Sequence, residues 1–165
     1  MNRYNQPGPK ALDPWDGLLL VDKPSGPTSH DVVAQIRKQF GFKKVGHGGT
    51  LDPMATGLLV ILVGRGTKLS NLIMGSDKVY EGTMWLGTTT DTQDRDGEKK
   101  EERDYSGVTR EAVEHEMKKW IGDVMQVPPM ISAIKRNGVP LYKLARKGQT
   151  VEREPRFLHI YEFTI

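Results

Sequence analysis

Residues Gly46 to Val63 read GHGGTLDPMATGLLVILV, a glycine-rich loop that runs directly into an unbroken apolar segment. The apolar part, Leu58 to Val63, predicts a strand that is covered on both faces. Four glycines in the twelve positions 46–57 allow the loop backbone to approach a ligand closely. The loop also carries one carboxylate, Asp52, which is followed at once by the rigid Pro53. We therefore expect a positioned catalytic carboxylate here, or, as the alternative, an aspartate that caps a turn ahead of the strand.

The residues before this loop predict a strand and a helix. Gly17 to Val21 is an apolar run that stops ahead of Pro24, which is typical of a buried strand. Thr28 and Asp31 have the spacing of a capping box, so a helix is predicted to begin there and to end at Gly41. Its apolar side chains fall on one helical face: Val32, Val33, Ile36 and Phe40.

The remainder of the chain mixes short strands and helices. A short helix fits Lys68 to Met74, capped by Thr67 and ended by Gly75, and strand-like composition marks Val79 to Leu86. Thr109 to Trp120 is the clearest amphipathic helix. The other predicted elements are a polar excursion over Thr88 to Ser106, a tight turn at Asn137-Gly138, a basic helical turn over Leu141 to Lys147 and a strand over Phe157 to Ile165. This mixture favours an α+β fold with a mixed, largely antiparallel sheet flanked by helices.

The composition is typical of one globular domain, because 36% of the 165 residues are hydrophobic and 27% are charged. The longest apolar run is too short to cross a bilayer, and no N-terminal segment resembles a secretion signal. We therefore expect a cytoplasmic protein that does not contact membranes. The absence of cysteine excludes disulfides, thiolate nucleophiles and cysteine-ligated zinc. The four histidines lack metal-ligand spacing, so no metal is predicted.

The net charge of +3 is unevenly distributed along the chain. Seven cations lie between positions 135 and 156, against two glutamates. A basic surface of this kind indicates a polyanionic partner, most economically a nucleic acid, and the alternative is a solvated helix face. The cations are Lys135, Arg136, Lys143, Arg146, Lys147, Arg153 and Arg156.

The glycine-rich loop resembles the active-site motif of the TruB-type tRNA pseudouridine synthases, Gly-Thr-Leu-Asp-Pro-x-Ala-Thr-Gly, which the chain matches from Gly49 to Gly57. Gly48 and the stretch Pro27 to His30 are closer to dyskerin-like relatives that depend on a guide RNA. The longer matching blocks are those of the bacterial stand-alone enzyme. In chain order, the blocks that resemble the family are LVDKPSG (20–26), SDKVY (76–80), LGTTTDTQDRDG (86–97) and VPPMISAIKRNGVPLYKLARKG (127–148).

This resemblance implies the pseudouridine synthase catalytic fold and the conversion of a uridine in the T-loop of tRNA to pseudouridine, without metal or nucleotide cofactor. Asp52 would be the covalent nucleophile, because a carboxylate is ionised at neutral pH without an activating base. Tyr80 would stack on the flipped base, or else be an ordinary core aromatic. His47 would help to hold the RNA loop open, or else be a solvated histidine. Lys23 would pair with backbone or a carboxylate near the site, or else serve the structure.

The resemblance also implies an insertion that clamps RNA over about residues 120–150. Tyr142 would stack on a base or lie in the local core. The side chains expected to bind RNA phosphates are Lys135, Arg136, Lys143, Arg146 and Lys147.

The family's catalytic domain continues past residue 165, which sets our expectation for the domain organisation. Residues 1–14 are expected to form a disordered tail, and residues 15–165 the N-terminal portion of the catalytic domain. An arginine-bearing segment similar to SKGTYIR and a C-terminal RNA-binding domain would then be absent. These residues alone should be inactive, and the full-length enzyme monomeric. The alternatives are a non-catalytic RNA-binding or RNA-folding module and a guide-RNA-dependent dyskerin-like synthase.

Overall fold

The computed structural model describes residues 13–132 and 134–165, with the backbone alone described at Lys135. The chain divides into two compact units, Met1–Glu81 and Gly82–Ile165. Of the predicted tail, residues 1–12 lie outside the described residues. Residues 13–16 form a turn in which the amide of Asp16 donates to the carbonyl of Asp13 at 2.8 Å.

The first unit is built on a three-stranded antiparallel sheet of order β1-β3-β2. Strand β3 lies in the centre, so both neighbours satisfy its backbone groups. The register pairs Lys23 with Gly57, which places the end of β1 beside the residue where β3 begins. In chain order the elements are β1 (Gly17–Lys23), α1 (Ser29–Phe40), β2 (Val45–His47), β3 (Gly57–Val63), a 3₁₀ helix (Gly64–Leu69) and α2 (Ser70–Met74).

Helix α1 begins and ends where its sequence predicts. The side-chain oxygen of Thr28 accepts from the amide of Asp31 at 3.1 Å, and the Asp31 carboxylate accepts from the amide of Thr28 at 2.8 Å. This reciprocal pair satisfies two amides that would otherwise lack a partner at the helix start. At the other end Gly41 has a φ of 69°, a left-handed conformation that favours glycine.

The core of this unit forms between α1 and the sheet. Val32, Val33 and Ile36 of α1 pack against β2 and β3, so the predicted apolar face is confirmed for these three side chains. Phe40 was expected on the same face but is exposed, because it lies in the last turn of the helix. The sheet contributes Val45, Leu59, Ile61 and Val63 to this core.

The two apolar strands differ from the predicted burial. In β3, Ile61 and Leu62 are both fully buried although they point to opposite faces, but Leu58 at the other end is exposed. Coverage on both faces is therefore confirmed only for the second half of β3. The buried character predicted for β1 is wrong, because Leu18 and Leu20 are exposed. The reason is that β1 lies at an edge of the sheet.

The cap predicted for the helix after β3 is wrong. Thr67 lies inside the 3₁₀ helix, where its hydroxyl donates to the carbonyl of Gly64 at 2.8 Å. Helix α2 then begins at Ser70 without a side-chain cap and ends, as predicted, at Gly75. Lys68 and Leu69, which were predicted to begin a longer helix, belong instead to the 3₁₀ helix.

In the second unit, the described residues form three two-stranded antiparallel sheets and two helices. Every strand pairing within the described residues is antiparallel, and helices accompany the sheets, so the α+β fold class is confirmed. None of the helices in the described ranges is long and apolar enough to cross a membrane. The elements are β4 (Thr88–Thr90) paired with β5 (Lys99–Glu102), α3 (Arg110–Lys118), β6 (Gly122–Gln126) paired with β9 (Arg156–Ile160), β7 (Lys135–Arg136) paired with β8 (Val139–Pro140), and α4 (Leu141–Ala145).

Local sequence signals are confirmed in this unit as well. The Thr109 hydroxyl accepts from the amide of Ala112 at 3.2 Å and so begins α3. Asn137 and Gly138 have φ values of 51° and 81°, and they join β7 to β8 in the tight turn that an Asn-Gly pair favours.

The strand predicted over Val79 to Leu86 is wrong. These residues adopt no regular structure, and Val79 and Trp85 are 99% and 76% exposed. Strand-like composition predicts a strand only where a second strand can pair with it. Within the described residues, no strand pairs with this segment.

Candidate active site

The site is built on the loop between β2 and β3, residues 48–56, which contains Asp52. At its start the amide of Gly48 donates to the carbonyl of Val60 at 2.8 Å, which continues the pairing of the two strands. A Cβ atom on Gly48 would overlap the side chain of Ile73 in α2. Only glycine therefore lets the loop pass this close to α2.

The residue before Asp52 is fixed to the first turn of α1. The Ser29 hydroxyl accepts from the amide of Leu51 at 2.9 Å and donates to the carbonyl of Leu51 at 3.1 Å. Ser29 is only 1% exposed, so water does not compete for these two bonds. Both backbone groups of Leu51 are thereby held by one buried side chain.

The residue after Asp52 is fixed to the end of β1. The carbonyl of Pro53 accepts from the amide of Gly26 at 2.8 Å and from Lys23 Nζ at 3.1 Å. Lys23 is completely buried, and its ammonium also donates to the carbonyl of Pro24 at 2.9 Å. Lys23 therefore contacts backbone carbonyls and holds the loop in place.

Asp52 itself is exposed between these two buried attachments. Its carbonyl accepts from the amide of Ala55 at 3.1 Å, which closes a turn directly after it. The backbone on either side is thus immobilised while the carboxylate faces solvent. Such an arrangement can present a nucleophile or a base to a ligand without ordering the chain on binding.

His47 lies at the start of the same loop and is half-buried. Its Nδ1 is 2.6 Å from the carbonyl of Gly49, so Nδ1 carries the proton and donates, which leaves Nε2 as the acceptor in the neutral ring. The ring packs edge-to-face on His30, with centroids 4.9 Å apart. Burial lowers the pKa of His47, the bond to Gly49 opposes this shift, and the charge of His30 adds to it.

Tyr80 belongs to an irregular segment that passes beside the loop. The side chain of Lys78 donates to the carbonyls of Met74 and Ser76 at 2.8 and 2.7 Å. Its Cε lies 3.9 Å from where a Cβ on Gly49 would be, so this segment lies against the loop. Tyr80 is 72% exposed and is therefore not a core aromatic.

The basic residues predicted to bind RNA lie in the second unit. Tyr142 is half-buried, and the guanidinium of Arg146 lies 5.4 Å from its ring centroid, a cation–π contact. The Arg136 guanidinium donates to the backbone carbonyl of Glu152. The side chain of Lys135 lies outside the described part of the structure. The cations exposed on or next to α4 are Lys143, Arg146 and Lys147.

The structure thus brings Lys23 and His47 to the loop of Asp52. Lys23 was also a candidate RNA contact, but it is completely buried, so its ammonium is not exposed to RNA. The residues predicted to clamp RNA lie in a separate unit. Sequence reasoning missed Ser29 and His30. No local pattern marks Ser29, since its role depends on Leu51, which lies 22 positions away. Across the described residues, no cluster of three or more histidine, aspartate or glutamate side chains is placed to hold a metal ion.

Residues 37–165 match the TruB family pseudouridylate synthases, N-terminal domain. This match covers most of the chain and includes the whole Asp52 loop. The chain therefore belongs to the TruB family of pseudouridylate synthases, which confirms the resemblance found in its sequence.

The relatives agree with this assignment. The chain is 52% identical over 150 residues to tRNA pseudouridine synthase B of Opitutus terrae, an alignment that covers 91% of the chain and 62% of the relative. It is 49% identical over 152 residues to tRNA pseudouridine synthase B of Saccharophagus degradans, covering 92% and 49%. The chain thus spans about half to three-fifths of the length of these relatives.

A solved structure is also similar. It is the crystal structure of a Cbf5-Nop10-Gar1 complex, with a TM-score of 0.50 and 30% sequence identity. The similarity covers 74% of this chain and 32% of that one. The likeness agrees with the α+β fold class predicted from the sequence.

The attachment of Leu51 generates a stability prediction. Ser29→Ala should lower the free energy of unfolding by about 1–3 kcal/mol, because the amide and the carbonyl of Leu51 both lose their hydrogen-bond partner, a buried hydroxyl. Ser76→Ala is the matched control, since the Ser76 hydroxyl donates to the carbonyl of Leu72 at an exposed position. The control should change stability by less than about 0.5 kcal/mol. Urea unfolding measures both, and equal effects of the two substitutions would contradict the role of Ser29.

His47 should make stability depend on pH. Because folding lowers its pKa, the unfolded chain binds this proton more tightly. The contribution to stability is therefore complete above the ordinary histidine pKa of about 6.5 and is lost as the pH falls below it. His47→Gln should remove this component, so the thermal midpoints of the two proteins should converge or cross as the pH is lowered. If the thermal midpoints of the two proteins instead change in parallel as the pH is lowered, His47 is not the source of this pH dependence.

Proposed function

We propose that this chain supplies the catalytic N-terminal domain of a pseudouridine synthase that acts on a uridine in the T-loop of tRNA, with Asp52 as the covalent nucleophile. Identity near 50% to proteins named tRNA pseudouridine synthase B supports the activity and the tRNA substrate. The arrangement of the loop supports Asp52 as the nucleophile. Asp52 is exposed, while buried Ser29 and Lys23 fix the backbone on both sides of it.

The proposed reaction is an isomerisation, so it neither adds nor removes atoms from the RNA. The bond between the base nitrogen N1 and ribose C1′ breaks, the base rotates, and its C5 carbon bonds to C1′. C5 loses its proton to solvent, and N1, which no longer carries the sugar, gains a proton from solvent. Asp52 forms a transient bond either to the ribose or to the base, which divides one difficult step into two easier ones. The carboxylate leaves unchanged at the end, and the proposal includes no metal or nucleotide cofactor.

The target uridine must leave the stack before Asp52 can reach it. Extrusion of a base costs a few kcal/mol, which contacts in the site must offset. We propose that Tyr80 stacks on the extruded base, because its ring is exposed on a segment that lies against the loop. Base–aromatic stacking contributes about 1–3 kcal/mol, which is enough to offset much of that cost. His47 lies at the end of β2, where the protein loop that carries Asp52 begins. We propose that it helps to hold the RNA loop open.

The basic residues of the second unit are proposed to bind the RNA backbone. Arg136 and the cations around α4 are exposed and positively charged. Guanidinium and ammonium groups of this kind contact phosphates without reading the base sequence. Tyr142, whose ring already contacts Arg146, is proposed to stack beside them. Lys135 is included on the basis of its sequence position. The same proposal assigns the enzyme to the cytoplasm as a monomer.

The alternative proposals are a non-catalytic RNA-binding module and a synthase that depends on a guide RNA. Identity is 52% to a protein named tRNA pseudouridine synthase B and 30% to the similar chain of the Cbf5-Nop10-Gar1 complex, which favours the tRNA substrate. Stable co-purification of a small guide RNA would support the guide-dependent alternative. Intact RNA binding without turnover by the complete wild-type protein would support the non-catalytic one.

Replacing the nucleophile tests the central proposal. In the complete protein, Asp52→Asn should lower pseudouridine formation by more than about 10³-fold, because an amide of the same shape cannot form the covalent bond. Binding to an unmodified tRNA transcript should remain. Asp96→Asn, in the exposed loop between β4 and β5, is the matched control and should retain full activity. Activity of Asp52→Asn within tenfold of wild type would reject the assignment.

The cations on and next to α4 should contribute to RNA affinity in a salt-dependent way. Replacing Lys143, Arg146 and Lys147 together with alanine should weaken RNA binding, and the plot of log affinity against log salt should become shallower by about 0.7–0.9 for each lost phosphate contact. The matched control replaces three exposed cations on or next to β5: Lys99, Lys100 and Arg103. Weaker binding with an unchanged salt slope would show that the α4 cations contact no phosphate.

A further inference from the structure

We propose that His30 is a positioning residue: its ring holds the ring of His47 so that Nε2 of His47 accepts a hydrogen bond from an N–H or O–H donor of the RNA loop. This inference deepens the proposed function and rests on it. His30 belongs to α1, and His47 is the last residue of β2. The two rings meet edge to face, with centroids 4.9 Å apart and an angle of 80° between their planes.

The backbones that carry the two rings are both held in place. His47 pairs with Ile61 in the three-stranded sheet. On α1, His30 lies between Ser29, whose buried hydroxyl binds the backbone of the loop, and Asp31, whose carboxylate closes the capping box. The freedom that remains to the pair is the rotation of the two side chains.

Two contacts restrict the rotation of the His47 ring. Its Nδ1 donates to the carbonyl of Gly49 at 2.6 Å, which fixes one edge of the ring. A hydrogen bond tolerates a range of angles, so this bond by itself still lets the ring tilt. The ring of His30 limits the tilt, because edge-to-face packing favours one arrangement of an aromatic pair by about two- to tenfold. Within the described residues His30 makes no hydrogen bond or ion pair through its ring, so this packing is its contact with the site.

The other ring nitrogen of His47 is left for a ligand. Because Nδ1 carries the proton, Nε2 is an acceptor in the neutral ring. Among the described residues Nε2 has no hydrogen-bond partner, and it is not a buried atom, so a ligand can reach it. A phosphate diester offers only acceptor oxygens and cannot donate to Nε2. The RNA group that fits is therefore a base N–H or a ribose 2′-hydroxyl.

The acceptor exists only while His47 is neutral, because protonation of the ring occupies Nε2. Burial lowers the pKa of His47, the bond to Gly49 opposes this shift, and the charge of His30 lowers the pKa further. Among the titratable side chains that the structure describes, His30 is the one whose charge acts on His47. Asp31, which interacts with the charge of His30, is itself bound by Thr28 in the capping box. His30 thus supports the neutral acceptor by its charge as well as by its packing.

The first experiment tests the acceptor. The ¹⁵N signals of the histidine ring nitrogens are measured by NMR on the complete protein above pH 7, and His47→Gln assigns the His47 signals by their disappearance. The free protein should show a protonated Nδ1 and an unprotonated Nε2. On addition of an unmodified tRNA transcript, Nε2 should stay unprotonated and its signal should shift as it accepts a hydrogen bond. A proton on Nε2, or an Nε2 signal that the RNA leaves unchanged, would overturn the proposed acceptor.

A double-mutant cycle tests whether His30 acts through His47. Binding of the transcript is measured for the wild type, His30→Ala, His47→Ala and the double variant. His30→Ala should weaken binding about two- to tenfold in the wild-type background and have no further effect once His47 is alanine. His30→Phe keeps an aromatic ring and should restore wild-type binding, and His115→Ala, at an exposed position of α3, is the matched control. Equal effects of His30→Ala in both backgrounds, no effect in either, or binding by His30→Phe as weak as by His30→Ala would each overturn the positioning role.

Salt and pH distinguish a neutral acceptor from a cation at His47. His47→Ala should weaken binding without changing the slope of log affinity against log salt, because a neutral acceptor displaces no counterion from the RNA. The loss that His47→Ala causes should shrink as the pH falls below the ordinary histidine pKa of about 6.5, since protonation removes the acceptor. A shallower salt slope, or a loss that grows on acidification, would show that His47 binds a phosphate as a cation and that the inference is wrong.

The outcomes separate this inference from the proposed function. If the complete protein binds the transcript but forms no pseudouridine, the proposed function fails, and the double-mutant cycle still decides whether His30 positions His47. If pseudouridine forms normally while the effects of His30→Ala and His47→Ala are additive, the inference about His30 alone is wrong.

Discussion

The buried ammonium of Lys23 is the interaction on which the candidate site depends. An ammonium group removed from water is costly unless oxygen atoms replace its hydration. Here the replacements are the carbonyls of Pro24, directly after β1, and of Pro53, directly after Asp52. Lys23 can therefore be buried only if the loop that carries Asp52 lies against β1. The antiparallel pairing of Lys23 with Gly57 brings the last residue of β1 next to the residue that follows this loop.

A second buried group, Ser29, completes this constraint from the side of α1. Because it holds both backbone groups of Leu51, the chain is fixed immediately before and immediately after Asp52. Displacement of a reacting group by about 1 Å can lower a rate on the order of 10²-fold, so a fixed backbone is valuable to a nucleophile. The carboxylate itself stays exposed, as the proposed contact with a large RNA requires. The ring of His47 also packs on His30 of α1, which adds a contact between the start of this loop and the helix.

The sequence by itself determined the features that depend on neighbours within a few positions. The capping box of Thr28 and Asp31, the left-handed Gly41 and the Asn137-Gly138 turn all follow from local hydrogen bonds and backbone preferences. The apolar face of α1 follows from helical periodicity. The glycine-rich loop and its family resemblance also singled out Asp52, since that motif is continuous in the chain. For these features the deciding residues are close together in sequence, so the pattern contains the answer.

Tertiary structure alone decided which distant residues meet. Lys23 and Pro53 are 30 positions apart, and Ser29 and Leu51 are 22 apart, so no local pattern shows that they hold Asp52 between them. The strand predicted over Val79 to Leu86 did not form, because strand pairing needs a partner that composition does not reveal. Burial and pairing are properties of the packed chain, and periodicity and composition predict them only where the partner is near in sequence.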